Sequence, residues 1–222
     1  MRAVLLGAAA VLLLSACGGG AAKRAPEKRI VVVALGDSIT AGSPGYDPDP
    51  ESRKQLGFGS DEQSQWEYWA ARKDPRLEFR NCGVYGERAE EIARRLERCA
   101  RGADALVVQG GINDVAQGFL VERAAANLRH MVRRGLAYGL RVALADVLPW
   151  NNGYPAADLE IRRLNELIRE VAREEGVPLL PFHDTLEDPE RPGRMKEEWT
   201  SDGDHPSVEG YRLLGERAFQ LP

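Results

Sequence analysis

Short apolar runs alternating with longer amphipathic segments constrain this chain more than any other feature. Ile30-Val31-Val32-Val33-Ala34-Leu35 is unbroken and aliphatic, the pattern of a strand covered on both faces. Ala105–Val108 and Val142–Ala145 read the same way, and Val177–Leu180 suits a short last strand. Leu77–Cys82 instead alternates with period two, as a half-exposed edge strand does. Between these runs, apolar residues recur at helical spacing: Ala89, Ile92, Ala93 and Leu96, then the segment 121–136, then Ile161, Leu164, Leu167, Ile168 and Val171 ahead of Gly176. The helix after the first strand is expected to start at Ser64, with Glu67 completing a capping box, and a final helix after Pro206 carries Val208, Tyr211, Leu214 and Ala218. Such alternation forces parallel pairing through right-handed crossovers. The expected fold is a three-layer α/β/α sandwich around a five-stranded parallel sheet.

A chain of 222 residues with 43% apolar content supports one core, so a single globular domain is expected over residues 30–222. With 30 basic against 34 acidic residues, the net charge of -4 argues against nucleic acid as a partner and provides no broad cationic surface for anionic lipid. The cluster Arg129-His130-Met131-Val132-Arg133-Arg134 is read as the wet side of an amphipathic helix, because Leu128, Met131, Val132 and Leu136 fall at helical spacing around it.

The N-terminus reads as a targeting device. Arg2 precedes an apolar stretch from Ala3 to Leu14, too short for a bilayer span of roughly 20 residues but suited to a signal-peptide core. Leu14-Ser15-Ala16-Cys17 resembles a bacterial lipobox, which implies cleavage after residue 16 and lipidation of Cys17; an ordinary secretory signal is the alternative. Residues 17–29 would then form a lipidated flexible tether, and the protein would be held at the membrane of a bacterial cell envelope. Removing residues 1–16 takes away only Arg2 among charged groups, so the mature balance is 29 minus 34, or -5.

Chemistry enters at the ends of the strands, where ligands collect in sheets of this type. Gly36-Asp37-Ser38 ends the first strand, and Asp202-Gly203-Asp204-His205-Pro206 lies far downstream. A serine hydroxyl becomes a useful nucleophile only beside a base that a third group holds in the right tautomer. His205 is the base candidate, since it alone of the three histidines has an acid three residues upstream within a loop; Asp202 is favoured as its orienter over the adjacent Asp204. Gly86 follows the second strand near a helix start, and Asn113 follows the third. Their amides, with the Ser38 N–H, are the candidate donors for an oxyanion. No His-Glu-x-x-His or Cys-x-x-Cys motif is present, and neither a metal nor another cofactor is expected. Cys82 ends a strand and Cys99 ends the helix returning antiparallel to it, a placement that favours free thiols at opposite ends of the layer, with a disulfide, which an exported protein could form, as the alternative.

Taken in order, Gly36-Asp37-Ser38, Gly86, Asn113 and Asp202-Gly203-Asp204-His205-Pro206 resemble the four blocks of the SGNH, or GDSL, hydrolase family over residues 30–220. The resemblance implies a flavodoxin-like strand order of 2-1-3-4-5, Ser38 as nucleophile, Gly86 and Asn113 as oxyanion donors, His205 as base and Asp202 as its orienter. It also implies a small ester as substrate. Acyl transfer to an envelope polysaccharide and a non-catalytic binding lipoprotein are the alternatives, and no protein partner can be read. The connections 43–63, Pro149–Tyr154 and His183–Thr200 are expected to set substrate choice, with Trp150 either stacking on substrate or packing within its loop.

Overall fold

The computed structural model describes residues 28–222, so the proposed signal peptide, Cys17 and most of the tether lie outside the described residues. In chain order the elements are β1 (Ile30–Gly36), α1 (Ser38–Ala41), α2 (Pro50–Leu56), α3 (Trp66–Lys73), β2 (Leu77–Gly83), α4 (Ala89–Ala100), β3 (Ala105–Val108), α5 (Ile112–Ala116), α6 (Val121–Ala137), β4 (Arg141–Ala145), α7 (Asp158–Glu175), β5 (Leu179–Leu180), α8 (Phe182–Leu186) and α9 (Val208–Leu213), with a π-helical turn at Leu214–Ala218. The strands form one parallel sheet in the order β2-β1-β3-β4-β5. This is the expected doubly wound arrangement, with helices on both faces. None of the described helices is long and apolar enough to cross a membrane.

Period-two alternation along the strands divides the core in two. Val33, Leu35, Leu106, Val108, Val142 and Leu144 face the layer built by α4, α6 and α7. Val32, Ala34, Ala105, Val107, Ala143 and Ala145 face the other layer, where the strands contribute small side chains and the helices contribute bulk. Trp66 fills that space, with edge-on contacts to Phe79 at 5.4 Å and Phe182 at 5.7 Å between ring centroids. The edge strand behaves as its pattern predicts: Leu77 is buried while Glu78 and Arg80 reach solvent. The last strand is shorter than Val177–Leu180, because Pro178 has no N–H to add to the ladder, although its carbonyl still accepts from Leu144 at 3.0 Å. On α6 the basic residues do lie on the outer side, Arg129 and Arg133 pairing with Glu174 and Glu175 of α7, but Leu136 is exposed and Gly135 takes the buried position.

Two further expectations fail. The helix does not start at Ser64: Asp61 caps a short turn at Glu62–Ser64, Gln65 is extended, and α3 begins at Trp66. Glu67 therefore points inward and is buried with neither carboxylate oxygen hydrogen-bonded to a described residue. Burial pushes its pKa well above the usual carboxylate range, which favours the protonated form. The second failure concerns the cysteines, which are not free. Cys82 and Cys99 form a disulfide with their Cα atoms 6.4 Å apart. Cys99 does stand in the last turn of α4, but the connection 84–88 carries the chain beyond the end of β2 before α4 begins. The 12 residues of α4 then descend about 18 Å, bringing the last turn, rather than the first, level with Cys82.

Candidate active site

The turn after β1 is built by close approach. A Cβ on Gly36 would lie 2.2 Å from Thr40 Oγ1 and 2.4 Å from Gln109 Oε1, and one on Gly83 would lie 2.1 Å from the Ala41 backbone nitrogen. Glycine at both strand ends lets α1 sit directly on the sheet. Asp37 caps it, its Oδ1 accepting from Ile39 N at 2.9 Å. Gln109, at the end of β3, donates from Nε2 to Asp37 Oδ2 at 3.1 Å and accepts the Thr40 hydroxyl at 2.8 Å. Burial raises the Asp37 pKa to about 6 in spite of those hydrogen bonds. Asp37 thus shapes the turn, and Gln109 is a partner the sequence did not disclose. Ser38 is the first residue of α1 and is only 4% exposed.

The histidine loop is equally constrained. Thr200 Oγ1 accepts from Gly203 N at 2.9 Å and donates to the His205 carbonyl at 2.9 Å, while Gly203 turns the chain with a φ of 85°. Asp202 Oδ1 accepts the backbone N–H groups of Asp204 at 2.9 Å and His205 at 2.8 Å, and its Oδ2 lies 2.8 Å from His205 Nδ1. Burial works against the Asp202 anion, but the hydrogen bonds from the His205 ring and the two N–H groups outweigh it and hold the pKa below its ordinary value. An ionised carboxylate only accepts, so Nδ1 carries the ring proton and Nε2 is left as an acceptor. That Nε2 lies 3.0 Å from Ser38 Oγ.

Asp204 does not orient the imidazole. Its Oδ1 accepts from Trp150 Nε1 at 2.6 Å and from Asn152 Nδ2 at 2.7 Å. Asn152 also donates to the carbonyls of Asp202 and Gly203, and Asn151 exchanges two hydrogen bonds with Met195. The segment after β4 therefore braces the histidine loop. Trp150 packs against Gly153 and also lines the cavity over Ser38.

That cavity, of about 310 Å³, is lined by Ser38, Tyr85, Gly86, Asn113, Trp150 and His205, among others. Gly86 has a φ of 77°, with open space where a Cβ would stand, so backbone conformation rather than room calls for glycine. Asn113 Nδ2 donates to the Glu87 carbonyl at 3.0 Å, which places the amide beside Gly86. Among the described residues no acceptor takes the N–H of Ser38 or of Gly86. The structure thus brings Ser38, Gly86, Asn113, Asp202 and His205 to one rim, while His130 lies on the outer side of α6 and His183 is buried behind Asp146. Tyr85 and Gln117 were not anticipated; they line the same cavity beside Gly86 and after Asn113, at positions the motifs themselves do not specify. Asp202, Asp204 and His205 also place donor atoms within 4.8 Å of one another, but each is engaged by the neighbours just described.

A serine, an imidazole and a carboxylate thus lie in line at the carboxyl ends of the strands of a parallel α/β sheet, where sites of α/β enzymes are built. The sequence places the chain more narrowly, since residues 34–213 match the model of the GDSL-like lipase/acylhydrolase family, and the chain belongs to that family. It is accordingly an ester-hydrolysing enzyme. Solved structures share the fold. A lipolytic protein of the G-D-S-L family from Desulfitobacterium hafniense is 23% identical, with a TM-score of 0.69 over 85% of this chain and 97% of that one. A lipase/acylhydrolase from Enterococcus faecalis is 23% identical, with a TM-score of 0.65 over 84% and 91%. A member of the same lipolytic family from Veillonella parvula is 20% identical, with a TM-score of 0.66 over 84% and 94%. No curated protein matches the sequence.

Proposed function

We propose that this enzyme hydrolyses small carboxylic esters through an acyl-enzyme on Ser38. The observation that carries the reading is the unbroken line from Asp202 Oδ2 through the His205 ring to Ser38 Oγ, with spacings of 2.8 and 3.0 Å. His205 Nε2 takes the hydroxyl proton as Oγ attacks the ester carbonyl. The N–H groups of Ser38 and Gly86 and the second hydrogen of the Asn113 amide receive the oxyanion. Collapse expels the alcohol, protonated by His205, and water repeats the sequence to release the acid. These steps use side chains and backbone N–H groups of this chain together with water, and need no cofactor. The acyl group would sit in the cavity of about 310 Å³ over Ser38, and a short acyl or acetyl ester is the substrate proposed.

The protein is further proposed to be exported and anchored through lipidated Cys17. The supports are the lipobox-like Leu14-Ser15-Ala16-Cys17 and the Cys82–Cys99 disulfide, a bond that persists in oxidising compartments. Substitution Cys17→Ser should release the protein from membranes; continued membrane association would count against the anchor. For the chemistry, residues 30–222 should hydrolyse p-nitrophenyl acetate, and Ser38→Ala should abolish turnover while keeping the circular dichroism spectrum. Unchanged turnover in that variant would remove Ser38 from its role.

A further inference from the structure

We propose that Arg95, a residue outside the proposed triad and oxyanion donors, is the positioning residue that sets the oxyanion loop against Ser38; the inference rests on the Ser38 reading. Arg95 stands on α4, and its side chain is only 12% exposed. Its guanidinium meets three separate segments of the site. Nη1 donates to the Cys82 carbonyl at the end of β2 at 2.7 Å. Nη2 donates at 3.0 Å to the Gly36 carbonyl, two residues ahead of Ser38. Nε donates at 2.8 Å to the Glu87 carboxylate, and Nη2 lies 2.6 Å from the same oxygen.

Each contact bears on the proposed hole. Glu87 directly follows Gly86, and its carbonyl is the acceptor that fixes the Asn113 amide at 3.0 Å. Gly36 O also accepts from Val84 N at 3.1 Å, so the two ends of the 84–88 loop are referred to one carbonyl, directly through Val84 and through Arg95 for Glu87. A planar fork fixes angles as well as distances, which a lysine ammonium does not. Removing it leaves the Cys82 carbonyl and Glu87 without their buried cation and frees Gly86 and Asn113 to shift together. Preorganised donors lose effect when displaced, and loss of one typically lowers kcat about 10²- to 10³-fold. The Cys82–Cys99 bridge and the two further donations from Arg80 to the carbonyls of Cys99 and Arg101 hold the end of α4 independently. The helix itself should therefore remain seated when Arg95 changes.

The test measures kcat per Ser38 titrated with a fluorophosphonate, together with KM for p-nitrophenyl acetate, in the purified protein. Substitution Arg95→Met should lower kcat by about 30- to 300-fold with KM changed less than about threefold, since the loss falls on the transition state rather than on substrate binding. Arg95→Lys should fall between parent and Arg95→Met, and Glu87→Gln should lose about three- to tenfold. These milder variants decide the matter if Arg95→Met does not fold. Full kcat per titrated site in Arg95→Lys and Glu87→Gln, or a loss confined to KM or to the fraction of titratable enzyme, overturns the positioning role. Turnover that survives Ser38→Ala would instead overturn the underlying reading, so the two failures are separable.

Discussion

Replacing Asp202 by asparagine perturbs the proposed mechanism at its least exchangeable point. The amide has nearly the same shape, and its oxygen can still accept the backbone N–H groups of Asp204 and His205 that now lie 2.9 and 2.8 Å from Oδ1. Its nitrogen then faces His205 Nδ1 where Oδ2 stood at 2.8 Å. Two donors cannot share that contact. The imidazole therefore moves its proton to Nε2, the atom 3.0 Å from Ser38 Oγ, and can no longer accept the serine proton. A second loss is electrostatic, because the imidazolium formed during attack no longer faces an anion. At a charge separation of about 4 Å and an effective dielectric near 20, that interaction is worth about 4 kcal/mol. Asp202 is 37% exposed, so solvent screening brings the figure nearer to about 2 kcal/mol, or roughly 30-fold. With the tautomer penalty, kcat for p-nitrophenyl acetate should fall by about 10³- to 10⁴-fold while the thermal midpoint stays close to that of the parent. Stopped-flow measurement of acylation at pH 7.5 reads the effect directly. A loss of less than about tenfold would show that Asp202 does not set the tautomer.

Other expectations test the fold and the surroundings of the site. Asp146 directly follows β4, with Oδ2 unpartnered among the described residues and Oδ1 accepting from His183 N at 2.7 Å; burial raises its pKa from 3.8 to about 6. Because the folded state binds that proton more tightly than the unfolded state, its stabilising contribution is present at low pH and is lost as pH rises from about 4 through 6. Asp146→Asn should thus gain up to about 3 kcal/mol above pH 7, less about 1–3 for its unpaired amide, and gain nothing at pH 4; equal midpoint shifts at the two pH values would contradict this. The double substitution Cys82→Ser, Cys99→Ser opens a link across a sequence separation of 17 residues and should lower the urea unfolding free energy by about 3 kcal/mol; an unchanged midpoint refutes a stabilising bridge. Gly83→Ala drives a Cβ to 2.1 Å from backbone and should destabilise more than Gly86→Ala, which meets open space and strains only its φ of 77°; the reverse order in thermal unfolding would show the crowding at α1 to be misjudged. Among p-nitrophenyl esters, kcat/KM should be highest for acetate to butyrate and fall for longer chains; a rise toward the decanoate would rule out the small-acyl reading.

Much of the fold was legible because burial writes a period into the chain. The aliphatic runs at β1, β3 and β4 and the alternation at β2 fixed sheet type and edge position before any contact was known. The proposed triad was legible for a different reason: Asp202 and His205 are three residues apart in a loop, so their pairing is local, and only their meeting with Ser38 required the fold. What stayed hidden were partners set by the path of connections. The disulfide was missed because a five-residue connection, 84–88, displaces α4 along the sheet, and helix length alone does not reveal that offset. Glu67 looked like a cap because Ser64 precedes it by three, yet Asp61 had already taken the capping role one turn earlier. Arg95 is one of four arginines between Arg88 and Arg98. A signal did exist, since it lies three residues after Ile92 and four before Cys99, on the buried side of α4, where an arginine must find acceptors. Gln109 carried no such mark, since it simply follows the last residue of β3.

In the proposed mechanism one hydroxyl, on Ser38, forms the covalent intermediate. Intact-mass and peptide mass spectrometry after reaction with a fluorophosphonate tests it most directly. One adduct per chain is expected, located on Ser38, appearing in step with loss of esterase activity and absent from the His205→Ala variant on the same time scale. Complete inactivation with the adduct on any other residue, or full activity retained by a chain labelled at Ser38, would contradict it.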